Sequence, residues 1–194
     1  IREASIVFEE AKQFGITMTM INTGGGMPVR YSRNIPEIKD IAKVINEAVD
    51  EYLGDNITVI VEPGRSMVGN AGVLVTRVIL RSKKGDENWV YVDAGVFHGL
   101  TETIQNIRYR VTVDGKEDEE LEKFVLAGPT CDSMDVMYYD IDLPKSTTLG
   151  DIVYFHATGA YTTEYGTNFN GIPSPKIIFE NGILSDEEFE AVEV

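Results

Sequence analysis

The chain is 194 residues long, with a formal net charge of −15 and a single cysteine. That charge argues against nucleic acid and anionic membrane as partners, since both would repel it, and one cysteine excludes an internally cross-linked secreted scaffold. No apolar run approaches the ~20 residues of a spanning helix, and no basic-then-apolar leader opens the chain, so a soluble cytoplasmic protein is expected. Residues 2–14 have helical spacing, with Ile6, Val7, Ala11 and Phe14 near one stripe and Gly15 as the stop. Residues 16–21 form a short apolar run that predicts a buried strand. Residues 35–53 predict a second helix, with Ile38, Ile41, Ala42, Ile45, Ala48, Val49 and Tyr52 on one face, and residues 57–62 a second strand. That order predicts parallel strands with crossover helices.

Near residues 70–73 the pattern changes. The runs 72–82, 88–94, 107–114, 122–127, 151–156 and 175–179 are short and β-rich, separated by turns such as Lys84-Gly85-Asp86 and Asp114-Gly115-Lys116. They predict an antiparallel sandwich or barrel. The expected organisation is an α/β part over 1–71, a β-domain over 72–180 and an acidic tail over 181–194. The chain opens on Ile1 inside a helical pattern, so an incomplete or processed chain is expected.

Two loops follow the two predicted parallel strands. Gly24-Gly25-Gly26 lets backbone N–H groups converge on a ligand, as a phosphate requires; alone, it could equally be a flexible turn. Glu62-Pro63-Gly64-Arg65 places a carboxylate and a permanently charged guanidinium at a strand mouth; alone, it could be a structural ion pair. Together they lie where (β/α)8 barrels often build a phosphate site, on the loops after the last two strands. His98 and His156 lack partners at metal-ligand spacing, and no metal is expected.

Four segments carry a family resemblance: Asn22-Thr23-Gly24-Gly25-Gly26, Glu62-Pro63-Gly64-Arg65, Gly128-Pro129-Thr130-Cys131-Asp132 and Gly159-Ala160-Tyr161-Thr162. In that order they resemble the C-terminal half of the pyridoxal-phosphate-dependent ornithine/lysine decarboxylase family, whose barrel is alanine-racemase-like. The resemblance implies the end of a (β/α)8 barrel followed by a β-domain. It implies decarboxylation of ornithine or lysine to a diamine for polyamine biosynthesis. It places Gly24, Gly25, Gly26, Gly64, Arg65 and Tyr161 on the cofactor phosphate and Glu62 on the pyridine nitrogen. A carboxylate there keeps that nitrogen protonated, so the ring accepts the electrons freed when CO2 leaves. Cys131 would protonate the carbon left behind, Asp132 would bind the distal amine, and Phe169 would line the pocket. Cys131 and Asp132 would reach into the active site of a partner subunit, making a homodimer with shared sites the catalytic unit.

The chain departs from that pattern in two ways. The lysine that joins the cofactor covalently and the histidine stacked on its ring have no counterpart here, so this chain alone is expected to be inactive. Where many ornithine decarboxylases carry an acid before the glycine of Val92-Asp93-Ala94-Gly95, this chain has Ala94, with the acid at Asp93. Asp93 remains a candidate substrate ligand, although neighbouring residues point in different directions, and Ala94 is expected to leave room for lysine beside ornithine. Diaminopimelate decarboxylase is the nearest alternative, with Arg108 or Arg110 as the cation for a distal carboxylate. A non-catalytic regulatory homologue is the other.

Overall fold

The computed structural model describes residues 1–179, and the tail expected over 181–194 lies outside the described residues. Helix α1 (Arg2–Gln13) ends as its sequence requires. Gly15 turns left-handed at φ +73°, the Ile16 amide donates to Ala11 O, and that of Gly15 donates to Lys12 O; the pair of bonds caps the last turn. Strand β1 (Met20–Asn22), helix α2 (Ile38–Tyr52) and strand β2 (Thr58–Ile60) follow. β1 and β2 pair in parallel, Met20 opposite Thr58 and Asn22 opposite Ile60, with α2 between them in sequence. Both strands are shorter than the apolar runs that predict them, and β1 ends one residue beyond its run.

A four-residue helix, α3 (Arg65–Val68), leads to β3 (Val73–Lys84), β4 (Glu87–Val92), β5 (Val111–Val113), β6 (Leu121–Ala127), β7 (Val136–Pro144) and β8 (Ile152–His156). These six strands form one sheet in the order β5-β8-β3-β4-β6-β7. It is mixed rather than antiparallel throughout: β4 and β6 run parallel, Asn88 opposite Phe124 and Tyr91 opposite Ala127. A parallel neighbour needs a long crossover. Here residues 93–120 supply it, making two 3-10 turns (Val96–His98, Thr101–Gln105) and placing β5 at the far edge before returning. The edge strands β5 and β7 approach each other, which curls the sheet nearly into a barrel.

β3 serves two neighbours. Its first half, Val73–Arg77, pairs with β8, and its second half pairs with β4 after a register shift between Val78 and Leu80. Phe124, Phe155, Leu100, Leu126, Leu143 and Val78 fill the interior, each almost wholly buried. β7 was not expected as a strand, because Asp140 and Asp142 interrupt its apolar pattern and Pro144 ends it. It lies at the sheet edge, where a terminal proline is tolerated. Residues 175–179, expected as a strand, form no ladder; Pro175 brings no amide donor to that segment.

In the α/β part, the periodicity predicted the helices but not their burial. Ile6, Val7 and Phe14 of the expected stripe are exposed, as are Ile38 and Tyr52 of α2.

Candidate active site

The glycine loop leaves β1 beside the loop that leaves β2, because the two strands are parallel neighbours. Gly24 and Gly26 have φ of +73° and +77°, a region favouring glycine. A Cβ on Gly25 would stand 2.4 Å from the carbonyl oxygen of Glu62, so the two loops touch through bare backbone. The Glu62 amide donates to Gly24 O at 2.8 Å. The Glu62 side chain is oriented by Asn22, whose Nδ2 donates to Oε1 at 2.8 Å, while Asn22 Oδ1 accepts from the Gly24 amide at 2.8 Å. Oε2 stays available at the mouth of the strands.

Arg65 is expected on a phosphate, but its guanidinium is committed elsewhere. Nη2 donates to Glu102 Oε1 at 2.5 Å and Nη1 to Glu102 Oε2 at 2.7 Å, a two-pronged pair; Nη1 also donates to the Tyr31 hydroxyl at 2.5 Å. Glu102 is buried on the crossover turn and Arg65 is mostly buried. The bonds from Glu102 hold the Arg65 pKa above the ordinary range, against the desolvation that lowers it. Burial, reinforced by neighbouring Tyr31 and Glu102, pushes Tyr109 well above a normal phenol. The guanidinium carbon lies 4.8 Å from the Tyr161 ring centroid. A phosphate at this position would therefore meet an arginine already paired with Glu102, with only Nε–H and one Nη2 hydrogen uncommitted among the described residues.

Tyr161 reaches the same place from the sheet. Its hydroxyl would lie 3.0 Å from a Cβ on Gly64, so that glycine leaves room for it. Tyr161 sits at φ +57°, an unusual conformation for a bulky residue and one that accompanies functional sites.

A second group forms around Cys131, which is exposed. Asn170 Nδ2 donates to Cys131 Sγ at 3.3 Å. Phe169 stacks on Phe97, centroids 4.4 Å apart. Asp132 Oδ1 accepts the Met134 amide at 2.8 Å, an Asx turn that leaves Oδ2 available.

Residues 9–159 match the family described as pyridoxal-dependent decarboxylase, C-terminal sheet domain. The chain belongs to that family. It is 33% identical to lysine/ornithine decarboxylase of Selenomonas ruminantium, covering 90% of this chain and 44% of that protein. It is 31% identical to diaminopimelate decarboxylase of Bacillus subtilis, covering 92% of this chain and 44% of that protein. Among solved structures, lysine/ornithine decarboxylase of Vibrio vulnificus complexed with cadaverine superposes with a TM-score of 0.79 at 33% identity, covering 92% of this chain and 50% of that one. The chain thus spans less than half the length of these curated relatives.

The two parallel loops, with no room for a side chain at Gly25 and an oriented carboxylate at Glu62, suit the pyridoxal phosphate of this decarboxylase family. Other candidates are placed differently. Asp93 is spent on structure: its Oδ1 accepts the Arg77 amide at 2.8 Å and its own amide donates to Arg77 O at 3.0 Å, closing the corner where β3 changes partner. Its Oδ2 has no partner among the described residues and Asp93 is exposed, so this structural role takes one oxygen and leaves the other. Ala94 is 3% exposed, so it does not open a space, and an acid there would be buried. Arg108 is paired with Asp140 on the surface. His98 is buried, and its Nδ1 accepts weakly from the Gly95 amide.

Sequence reasoning missed Asn22, Tyr31, Glu102, Asp135 and Asn170. Asp135 had a faint signal, a second aspartate on the Cys131 loop. Tyr31 and Glu102 had none, because each acquires its role from a partner more than thirty residues away.

Proposed function

We propose that the whole protein is a pyridoxal-phosphate-dependent decarboxylase of a basic amino acid, ornithine or lysine. Residues 1–71 would form the last strand–helix units of a (β/α)8 barrel, with 72–180 as the appended β-domain, acting as a cytoplasmic homodimer with shared sites. The observation that carries this reading is the contact of the glycine loop with Glu62, fixed by Asn22. The uncovered apolar faces of α1 and α2 support the barrel assignment.

Bound pyridoxal phosphate supplies a ring that takes up the electron pair released with CO2. Glu62 Oε2 would keep a proton on the ring nitrogen, while Asn22 holds Oε1 and so fixes the carboxylate plane. The backbone of Gly24–Gly26 and Gly64, together with the Tyr161 hydroxyl, would grip the phosphate. Arg65, paired with Glu102 and lying over the Tyr161 ring, would meet the phosphate through Nε–H and its remaining Nη2 hydrogen. Cys131 Sγ, presented to the partner subunit's site, would deliver the proton to carbon. Asp132 receives the distal ammonium and Phe169 closes the pocket beside it.

The surface pairing of Arg108 with Asp140 takes one of the two cations offered to a distal carboxylate and favours a substrate with one carboxylate over diaminopimelate. The test is CO2 release by the whole protein with added cofactor from ornithine, lysine and diaminopimelate. Turnover of ornithine and lysine within about two orders of magnitude in kcat/KM is expected, because one methylene is worth only ~1–3 kcal/mol. Turnover of diaminopimelate alone refutes the substrate assignment.

A further inference from the structure

Cys131, Asp132 and Phe169 lie on two loops far apart in sequence, and something must hold those loops in register. We infer that Asp135 is the positioning residue that does so, an inference that rests on the proposed function for its catalytic consequence. Asp135 is 2% exposed and has no cationic partner among the described hydrogen bonds and ion pairs; its carboxyl group is spent on backbone amides. Oδ2 accepts the Thr130 amide at 2.9 Å, and the Asp135 carbonyl accepts the Gly128 amide at 2.8 Å, while the Asp135 amide donates to Asp132 O at 3.0 Å. These three bonds close the 128–135 loop around Cys131 and Asp132. Oδ1 reaches out of the loop to the Val96 amide at 2.8 Å. The next residue, Phe97, stacks on Phe169, and its carbonyl accepts the Thr167 amide at 2.9 Å and hydroxyl at 3.0 Å. Asn170, beside Phe169, donates back to Cys131 Sγ and completes a ring of contacts.

The carboxyl group has no freedom within that ring. A Cβ on Gly95 would stand 2.1 Å from Asp135 Oδ1, and one on Gly128 would stand 2.2 Å from it. Both glycines are therefore required by the side chain they enclose. Each oxygen serves a different segment, so an amide in its place has one acceptor too few and turns a donor toward a donor.

The test uses Asp135→Asn in the whole protein with its cofactor, with three readouts. Misplacing a reacting group by ~1 Å costs on the order of a hundredfold, so kcat should fall by roughly tenfold to a hundredfold. Cofactor affinity should stay within about twofold, because the glycine loops and Tyr161 take no part in the ring of contacts around Asp135. Alkylation of Cys131 by iodoacetamide, followed by peptide mass spectrometry, should move toward the rate of the urea-unfolded chain. Asn170→Ala opens the same ring at its exposed end and should move kcat and alkylation the same way by a smaller factor; it decides the matter if Asp135→Asn does not fold. Wild-type kcat and alkylation in these variants overturn the inference, as does a loss of cofactor affinity parallel to the loss of kcat. A wild-type protein that decarboxylates nothing overturns the proposed function instead, and the alkylation rates then still decide whether Asp135 holds the loop.

Discussion

The two parts of the chain handle their apolar residues in opposite ways. In the six-stranded sheet, Phe124 and Phe155 are 1% and 0% exposed, whereas in the α/β part Phe14 is 82% and Val44 65% exposed. An apolar cleft of about 740 Å3 runs along α2, lined by residues such as Ile41, Ile45, Val59 and Met67. The contrast separates the chemistry as well. Asp135 and the Cys131 ring of contacts belong to the sheet, which has its own filled core. The glycine cradle belongs to the part with open apolar faces, and it is tied to the sheet by Arg65 and Glu102 and by the Gly159 amide, which donates to Gly69 O. One half-site stands on a filled core of its own, and the other stands beside open apolar faces.

Core truncation should break the contrast most visibly. Phe155→Ala should destabilise the 194-residue chain by ~3–5 kcal/mol in urea unfolding, whereas Phe14→Ala should stay within about 0.5 kcal/mol. Equal losses would mean that α1 is packed after all. Next in size, Glu102→Ala leaves the half-buried Arg65 without its counter-charge, a loss of ~1–3 kcal/mol. Asp140→Asn, which breaks the exposed pair with Arg108, should leave the urea midpoint unchanged.

A smaller effect comes from the tyrosines beside that junction. Burial raises the folded-state pKa of Tyr109 and of Tyr138, so the folded chain favours their neutral phenols. Their contribution to stability is complete below the unfolded value of ~10 and is lost as pH rises above it toward the folded values. Phenolate absorbance during an alkaline titration should show two tyrosines ionising only as the chain unfolds. All nine ionising together near pH ~10 would place Tyr109 and Tyr138 in solvent.

Local patterns were legible in the sequence where local physics decides the outcome. Gly15 closes α1, and Gly24 and Gly26 adopt positive φ. Pairing was not legible where it depends on distant partners. The parallel β4–β6 contact follows from the route of residues 93–120, which no local pattern reveals. The place of Asp93 in its motif was visible, while the Arg77 amide that claims one of its oxygens lies on another strand. Arg65 carried both readings in its sequence; the ion pair came from Glu102, not from neighbouring Glu62.

The central claim is that the cradle around Glu62 and the ring around Cys131 serve two different active sites of a dimer. Mixing Glu62→Gln subunits with Cys131→Ala subunits of the whole protein tests it directly, with CO2 release measured before and after subunit exchange. Each variant alone should be nearly inactive. Hybrid dimers should recover activity, because one of their two sites then has Glu62 from one subunit and Cys131 from the other. No recovery, with exchange demonstrated by mass, would contradict the shared site and place both groups in one subunit's pocket.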